Sequence, residues 1–407
     1  MTPSPSFTPF ARPVSGDCAL LEEWRTLHRD TNASPFLSPD WITAWHQAFA
    51  PEQILELHGV RDAQGTIAAA LPVVRRLDLR APIAPSRSRS SLRSPTNWHT
   101  PEFGWSVRDR EALPALLDAS LDETGRRLSI SFLSPDDAEL LADAARRHGL
   151  RVLTRAVQHS PVLPLTDGFA TVEASLPRKV RSEMRRRTRK LEERGTVTFE
   201  TIESTTRGDG PITPHEEETV RAALAEGFAV EASGWKGERG TAIAAEAHVR
   251  SFYETISLRA FEAGLLRLHF LRLDGRALAF DLSFETSTHH SLVKTGFDPE
   301  FRSFGAGKIL RRAMIEAAAE RGITSYEFLG ADAPWKSEWT SQRRDRVLVQ
   351  AFRNGPAGLL DYSVHRHGRP LARRLRDWAR SWRGNAMPAP AASSSNTAPK
   401  ERSCASS

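Results

Sequence analysis

Two glycines and an arginine near residue 305 have the residue types and the spacing of a phosphate-binding turn. The sequence Arg302-Ser303-Phe304-Gly305-Ala306-Gly307 follows an apolar run, residues 291–297, and precedes a helical pattern. Glycine leaves the backbone bare where a strand turns into a helix, and the first N–H groups of a helix have no partner within it. These groups, with the positive end of the helix dipole, favour an anion. The pattern therefore predicts a phosphate or diphosphate site.

Two basic side chains lie beside this turn. Arg302 would add positive charge to a bound diphosphate, and Lys308 lies in the first helical turn, from which it could also reach the anion. A solvated surface position is the alternative for Lys308. For Gly305 and Gly307 the alternative is a simple helix-entry turn, so the surrounding elements must decide between the two interpretations.

The elements that would position the turn follow a repeated order. Residues 55–62 and 67–71 have the pattern of strand, tight turn and strand, and residues 266–273 and 277–280 repeat it. Each hairpin follows a helical pattern and has Asp or Gly in its turn. The first strands of both hairpins contain the sequence Leu-x-Leu-His. This repetition favours two related domains in tandem, and chance similarity of two hairpins is the alternative.

Strand and helix patterns alternate along both halves of the chain. The first half continues with a helix near 108–123, a strand at 128–132, a helix at 135–148 and a strand at 150–157. The second half has a basic helix, helices between 214 and 263, a helix at 305–321, and strands at 197–202, 265–273, 277–285, 289–297, 324–329 and 346–352. This order predicts an α+β fold.

The composition is that of an ordinary soluble protein. Of the 407 residues, 40% are hydrophobic and 26% are charged, and no apolar run approaches the roughly 20 residues of a membrane helix. The N-terminus lacks the basic and apolar regions of a secretory signal, so we expect a cytoplasmic protein. The only cysteines, Cys18 and Cys404, lie at opposite ends, and no cluster of His, Cys or Asp has metal-ligand spacing. We therefore expect no metal.

Three segments are rich in residues typical of irregular structure. Residues 1–16 and 384–407 contain many Pro, Ser and Ala residues, and we expect both tails to be disordered. Residues 80–95 are dense in Ser, Arg and Pro and have the composition of a long exposed loop.

The positive charge of the chain is concentrated in one helix. The net charge is +6, and residues 178–194 alone hold nine Arg or Lys residues against three Glu. A solvated face above an apolar stripe is one interpretation, and docking to an anionic polymer, transfer RNA or an acidic membrane is the other. General nucleic-acid binding is disfavoured because the basic patch is confined to one short helix.

Three antiparallel strands, the Arg-x-x-Gly-x-Gly turn, a helix and a further strand together resemble the core of the GCN5-related N-acetyltransferase (GNAT) family. The sequence further resembles the GNAT subgroup associated with bacterial cellulose and exopolysaccharide synthesis, which is related to Fem-type peptidyltransferases. The resemblance covers most of residues 35–355. It rests on these stretches: 35–41 with Trp45, the end of the basic helix at 189–192, 231–237, and 294–330.

The resemblance implies two tandem GNAT-like domains, each a mixed, mostly antiparallel sheet flanked by helices. The first, residues 17–165, has Pro95-Thr-Asn-Trp-His-Thr-Pro101 where the second has its glycine turn. We therefore expect a degenerate first domain and one coenzyme site per chain, in residues 166–383.

In this family the turn binds the diphosphate and pantetheine of acyl-coenzyme A, so acetyl-coenzyme A or another acyl-coenzyme A is the implied co-substrate. A backbone N–H of the preceding strand polarises the thioester carbonyl, an oxyanion-type stabilisation that needs no side chain. The implied coenzyme-binding residues are Val293, Thr295, Arg302, Gly305, Ala306, Gly307 and Lys308.

Four residues are candidates for catalysis, without an assignment of the base among them. Asp281 interrupts an apolar strand, where it is either half-buried and functional or on an exposed sheet face. Glu231 lies near Trp235 and Lys236, while Asp332 and Lys336 lie near Trp335 and Trp339, a composition suited to an acceptor pocket or a sugar site. Tryptophans that fill a core beside charged loop residues are the alternative.

His289 and His290 do not form a site together, because adjacent residues on a strand point to opposite faces.

The leading hypothesis is an acyl-coenzyme A-dependent acyltransferase that acetylates an amine or hydroxyl of a small molecule, glycan or cell-envelope precursor. A Fem-type aminoacyl transferase is the first alternative. The second is a non-catalytic module of a polysaccharide synthesis complex.

Overall fold

The computed structural model describes residues 7–77, 90–204, 212–233, 243 and 246–368. Its longer helices are α1 (Cys18–Asp30), α2 (Pro39–Phe49), α3 (Ala112–Asp122), α4 (Pro135–Arg147), α5 (Gly168–Ser175), α6 (Arg178–Glu192), α7 (Pro214–Ala232), α8 (Ala247–Glu262) and α9 (Ala306–Glu320). Two further helices follow, α10 (Pro334–Ser337) and α11 (Pro356–Ser363), and a five-residue π-helix spans Val364–Gly368.

The strands of the first half are β1 (Thr8–Pro13), β2 (Ile54–Arg61), β3 (Ile67–Leu77), β4 (Ser90–Arg93), β5 (Ser106–Val107), β6 (Arg127–Leu133) and β7 (Arg151–Pro164). Those of the second half are β8 (Val197–Ile202), β9 (Leu266–Leu273), β10 (Arg276–Glu285), β11 (His289–Phe297), β12 (Ser325–Glu327) and β13 (Arg343–Phe352). They form one sheet in the order β1-β2-β3-β4-β6-β13-β7-β12-β11-β10-β9-β8, with β5 beside β3.

Helix ends carry the caps that the sequence provides. Ser38 and Ser134 accept hydrogen bonds from the first turns of α2 and α4, each of which begins with a proline. Thr213 and Glu216 form a reciprocal capping box at the start of α7. These capping bonds stabilise the first turns of α2, α4 and α7.

The two halves exchange their last strands. β4 runs parallel to β6 in the first half, and β11 runs parallel to β12 in the second. β7, which follows β6 along the chain, pairs with β12, while β13, which follows β12, pairs with β6. β7 and β13 also pair with each other. The repeated order confirms the predicted α+β class, with two related halves of one large mixed sheet. The predicted domain boundary at residue 165 stays a prediction.

The second half carries helices on both faces of its sheet. Phe280 and Phe284 of β10 lie on the face covered by α7 and α8, where the rings of Phe228 and Phe280 are 6.4 Å apart. Leu278 and Ala279 pack with Leu310 of α9 on the other face. Residues of the two halves share the first of these cores.

Aromatic contacts join the halves in that shared core. Trp41 of α2 lies 5.2 Å from Phe252 of α8, and Phe36 stacks on Phe284 at 6.0 Å. Burial of such large side chains is the main stabilising contribution at this junction.

Some terminal and loop predictions differ from the structure. The prediction of disorder for residues 1–16 is wrong at Thr8–Pro13, which forms an edge strand antiparallel to β2. Of the predicted loop 80–95, Ser90–Arg93 forms β4, and residues 80–89 lie outside the described residues. The predicted tail 384–407 also lies outside them. The strand predicted at 324–329 ends at Glu327, because Leu329 and Gly330 have φ angles of 48° and 58°.

Across the residues that the structure describes, no helix is both long and apolar enough to cross a membrane.

Candidate active site

The predicted glycine turn lies at the start of α9. Gly305 caps this helix with φ 70° and ψ 39°, the left-handed region that favours glycine. Gly307 is in the first helical turn, and a Cβ atom there would meet its nearest neighbour, Phe297, at 3.6 Å, which is an ordinary contact. The fold therefore requires glycine at residue 305 but leaves room for a side chain at residue 307. A bare backbone at Gly307 fits a ligand that approaches the helix terminus.

A gap in the sheet opens next to this turn. β11 and β12 pair only through His289–Ser291 and Ser325–Glu327, after which β11 continues to Phe297 paired with β10 but not with β12. After β12, the chain turns away from β11 at Leu329 and Gly330, which have positive φ angles. The two parallel strands thus separate into a wedge whose open end lies toward the start of α9.

The part of β11 beyond its pairing with β12 contains a β-bulge. Its register with β10 shifts between Leu282, which lies opposite Lys294, and Ser283, which lies opposite Leu292, so that Val293 is the extra residue. A bulge releases backbone groups from the ladder. Thr295 points to the α9 face, where its hydroxyl accepts a hydrogen bond of 3.1 Å from Arg311. Of the two predicted residues, Val293 is therefore the bulged residue itself, and Thr295 lies two residues after it.

Arg302 and Lys308 are the two predicted phosphate ligands beside the turn, and Lys308 forms an ion pair with another residue. Lys308 donates to the carboxylate of Glu338, with Nζ 2.6 Å from the nearer oxygen. Arg302 is exposed, and its backbone carbonyl accepts from Gly305. Arg302 keeps the predicted position, whereas Lys308 would have to leave an ion pair in order to contact an anion.

A cation that the sequence analysis did not select lies against the turn. A Cβ atom on Gly305 would be 2.7 Å from Nη1 of Arg187, a residue of the basic helix α6. Nε of Arg187 donates to Glu183 at 2.7 Å, which orients the guanidinium toward the start of α9. The basic helix thus places a charged donor beside the helix terminus, where an anion would bind.

Asp281 is fully buried on the α9 face of β10. Both of its oxygens accept hydrogen bonds from Arg311, whose Nη1 also donates to the hydroxyl of Tyr326 at 2.7 Å. Burial raises the pKa of Asp281 against the opposing effect of Arg311. This buried pair joins α9 to the sheet, a position that differs from both the half-buried and the exposed alternatives.

Asp332 and Lys336 lie on the loop after β12. Lys336 is buried, and its ammonium donates to the backbone carbonyls of Leu329 and Ala331. Asp332 is on the surface and accepts from Arg343 at 3.0 Å and from Ser337 at 3.1 Å. The hydrogen bonds of Arg343 and Ser337 lower the pKa of Asp332 despite the opposing effect of desolvation, so this carboxylate is a weak base. Lys336 stabilises the turn that opens the wedge.

Glu231 lies at the end of α7 against β11. It is buried, its backbone lies next to Gly296, and its Oε2 accepts a hydrogen bond of 3.0 Å from the backbone N–H of Ile243. Its predicted neighbours Trp235 and Lys236 lie outside the described residues. The structure therefore brings Glu231 to the wedge strand but does not bring it together with Asp281, which lies on the opposite face. The catalytic roles of all four candidates stay predictions.

The segment 95–101 of the first half reaches the α7 and α8 face of β11. Nδ1 of His99 lies 2.8 Å from the hydroxyl of Tyr253 on α8. The ammonium of Lys294 lies 4.8 Å from the ring centre of Tyr253 and 5.2 Å from that of Trp98. An imidazole, a phenol and a cation therefore meet beside the bulged strand.

The two adjacent histidines of β11 differ as predicted from their alternation. His290 is fully buried, and its Nδ1 lies 2.7 Å from the carboxylate of Glu285, whereas His289 is half-buried and contacts Thr288. No group of three or more potential His, Cys, Asp or Glu metal ligands occurs in the described part of the chain.

Residues 178–337 match the family model of the acetyltransferase (GNAT) domain. The matched segment begins with α6 and ends with α10, so it contains the glycine turn, the wedge and Arg187. No curated protein matches the chain.

Solved structures resemble the fold over most of the chain. FemX is 14% identical with a TM-score of 0.52, covering 84% of this chain and 98% of FemX. A conserved protein of unknown function from Bacteroides thetaiotaomicron is 11% identical with a TM-score of 0.51, covering 82% and 97%. A tandem GNAT protein from the clavulanic acid biosynthesis pathway is 15% identical with a TM-score of 0.42, covering 86% and 99%. At these identities the first two matches show the fold alone.

The sequence did not point to two groups that lie in or beside the proposed site. Arg187 has the same local pattern as its basic neighbours on α6, and only the packing of α6 beside α9 distinguishes it. His99 lies outside residues 178–337, in a segment that the sequence analysis treated only as a missing glycine turn. The Trp-His pair between two prolines was the available signal.

Proposed function

We propose that the protein is an acyl-coenzyme A-dependent acyltransferase that acetylates an amine or hydroxyl of a sugar, polysaccharide or cell-envelope precursor. The observation that carries this proposal is Gly307, a glycine that the fold does not require, in the first turn of a helix that begins at the open end of a sheet wedge. The match of residues 178–337 to the GNAT family supports the reaction class.

The proposed donor site uses the groups around the turn. The backbone N–H groups of Ala306 and Gly307, at the start of α9, would hold the diphosphate together with Arg187 and Arg302. The acyl-pantetheine would extend along the free edge of β11. A backbone N–H of the bulged segment from Val293 to Thr295 would then stabilise the negative charge that develops on the thioester oxygen.

The proposed acceptor is a glycan or a related small molecule, within the setting of polysaccharide or envelope synthesis. Trp98 is 68% exposed and lies beside Lys294, close to the bulged strand. An exposed indole beside a cation suits a sugar, since its apolar face stacks on an aromatic ring while its polar groups form hydrogen bonds.

Isothermal titration with acetyl-coenzyme A tests the donor site. We expect saturable binding to the wild-type protein and none to the Gly307→Trp variant, in which the indole would cover the helix terminus. The control is Gly65→Asn, a substitution in the turn between β2 and β3, where a Cβ atom would meet nothing within 4 Å. The wild-type protein failing to bind acetyl-coenzyme A at millimolar concentration would contradict the proposal.

A Fem-type aminoacyl transferase is the second candidate, and the fold similarity to FemX over 84% of the chain favours it. It predicts transfer from an aminoacyl-tRNA to an acceptor and no saturable binding of acetyl-coenzyme A. Incubation with aminoacyl-tRNA carrying a labelled amino acid, followed by mass analysis of the acceptor, distinguishes the two candidates.

A further inference from the structure

His99 belongs to the first half of the chain but is held against the second. The segment around it is fixed by a tight turn, in which the backbone N–H of His99 donates to Oδ1 of Asn97 at 2.9 Å and that of Thr100 donates to the carbonyl of Asn97 at 3.0 Å. The imidazole is 6% exposed and stacks on Phe49, with the ring centres 5.2 Å apart. Its position is therefore determined by both the backbone and the packing.

One ring nitrogen of His99 is bound and the other is not. Nδ1 lies 2.8 Å from the hydroxyl of Tyr253, whereas Nε2 is buried and has no hydrogen-bond partner among the described residues. A buried polar atom without a partner carries a desolvation cost, and in native sites such atoms commonly serve a function. Nε2 is thus the atom of this cluster to which a substrate proton could move.

The surroundings keep the imidazole neutral. Burial, followed by the charges of Lys294 and His248, lowers the pKa of His99 to about 3. Burial and the charge of Glu231 raise the pKa of Tyr253, so its hydroxyl stays protonated. The imidazole is therefore neutral in this closed arrangement, and its low pKa makes it a weak base there. Because burial is the largest cause, exposure of the ring when an acceptor enters would raise its pKa toward the ordinary value and make the Nε2 lone pair available for a proton.

His99 and Tyr253 lie beside the bulged part of β11, which forms one side of the wedge. Lys294, whose ammonium lies over the ring of Tyr253, is the residue next to the bulge at Val293. The indole of Trp98 packs on the imidazole with ring centres 3.5 Å apart and is 68% exposed. Nε2 is buried, so an acceptor reaches it only if a neighbouring side chain moves, and Trp98 is an exposed neighbour on the face of β11 opposite α9.

We propose that His99 is a catalytic residue that removes the proton from the acceptor, so that the first half supplies the base for a donor site in the second. This inference rests on the proposed acyltransferase function. With Nδ1–H donating to Tyr253, Nε2 takes the proton as the acceptor nitrogen or oxygen forms its bond to the acyl carbon. The carbon–sulfur bond breaks, the electron pair leaves with sulfur, and the imidazolium returns the proton to the thiolate.

The test measures thiol release from acetyl-coenzyme A with glucosamine as the acceptor probe. We expect His99→Gln to lower the rate about 100-fold or more, in the range of general-base catalysis, while binding of acetyl-coenzyme A by calorimetry is unchanged. In His99→Ala, added imidazole should restore part of the rate, which a purely structural role would not produce. Tyr253→Phe should lower the rate about tenfold, because it removes one hydrogen bond that orients the imidazole.

The matched control is His215→Gln. This exposed histidine lies at the start of α7, and we expect a rate equal to that of the wild-type protein. Equal thiol release from wild type and His99→Gln, whether both are fast or both are at the rate of uncatalysed hydrolysis, overturns the assignment of His99. If the wild-type protein does not bind acetyl-coenzyme A at all, the donor site itself is wrong and this proposal is overturned with it.

Discussion

A Cβ atom on Gly305 would lie 2.7 Å from Nη1 of Arg187, so the guanidinium occupies the space that a side chain at residue 305 would need. The basic helix α6 and the start of α9 are therefore in direct contact. This relationship connects the densest positive charge of the sequence with its most specific motif.

The Arg187→Ala variant should bind acetyl-coenzyme A about tenfold more weakly than the wild-type protein, since one charge-assisted hydrogen bond to the diphosphate would be lost. Arg186→Ala is the matched control, because Arg186 is exposed and pairs with the same Glu183 but is not the residue against Gly305. Titration calorimetry at two salt concentrations measures both. An equal loss in the two variants would show that only the general charge of α6 matters.

Substitution of the two glycines should separate folding from binding. Gly305→Ala should lower the free energy of unfolding by about 1–2 kcal/mol, because a residue with a Cβ atom would adopt φ 70°. Gly307→Ala should leave it unchanged or raise it by up to about 1 kcal/mol, since alanine favours the helix and its Cβ has room. Urea unfolding compares them, and a larger loss at residue 307 would contradict this assignment.

The buried pair of Asp281 and Arg311 should be required for stability. Asp281→Ala leaves the guanidinium without its carboxylate, and we expect a loss of about 3–5 kcal/mol in the free energy of unfolding. The double variant Asp281→Leu/Arg311→Met should recover most of this loss, because neither charge remains buried. Denaturant titration of the single and double variants tests this, and a double variant as unstable as Asp281→Ala would refute it.

The neutral state of His99 should make stability depend on pH. Its folded pKa of about 3 lies below the usual value near 6.5, so its contribution to stability is present above pH 6.5 and is lost as the pH falls toward 3. As the pH falls between these two values, the free energy of unfolding should decrease in both proteins. We expect the decrease to be steeper in the wild-type protein than in His99→Gln, by up to about 1.4 kcal/mol per pH unit. Other buried histidines, such as His269, are present in both proteins and cancel in the comparison. Parallel curves would mean that His99 is not held neutral.

Local patterns predicted the elements around the proposed donor site. The turn from Arg302 to Gly307, the helix after it and the three strands before it all have signals within a few residues, namely glycine positions and apolar periodicity. β1 was missed because Pro9 and Pro13 suggested disorder, although an edge strand tolerates proline where its N–H groups face away from the partner.

Contacts between distant residues could not be predicted in the same way. The pairing of β13 with β6, the approach of Arg187 to Gly305 and the bond between His99 and Tyr253 join residues that are far apart in the sequence. No local propensity encodes such contacts, because they depend on how complete elements pack. The contacts around His99 are therefore a part of the molecule that only the structure reveals.

The exchange of β7 and β13 has a consequence for synthesis on the ribosome. β13 ends at Phe352, yet it occupies the middle of the sheet, between β6 and β7. A nascent chain that has emerged only as far as Pro164 has both β6 and β7 complete but lacks the strand that joins them. Two unpaired edges are then exposed, which favours association with other chains. The sheet of the first half is therefore complete only after β13 has been translated.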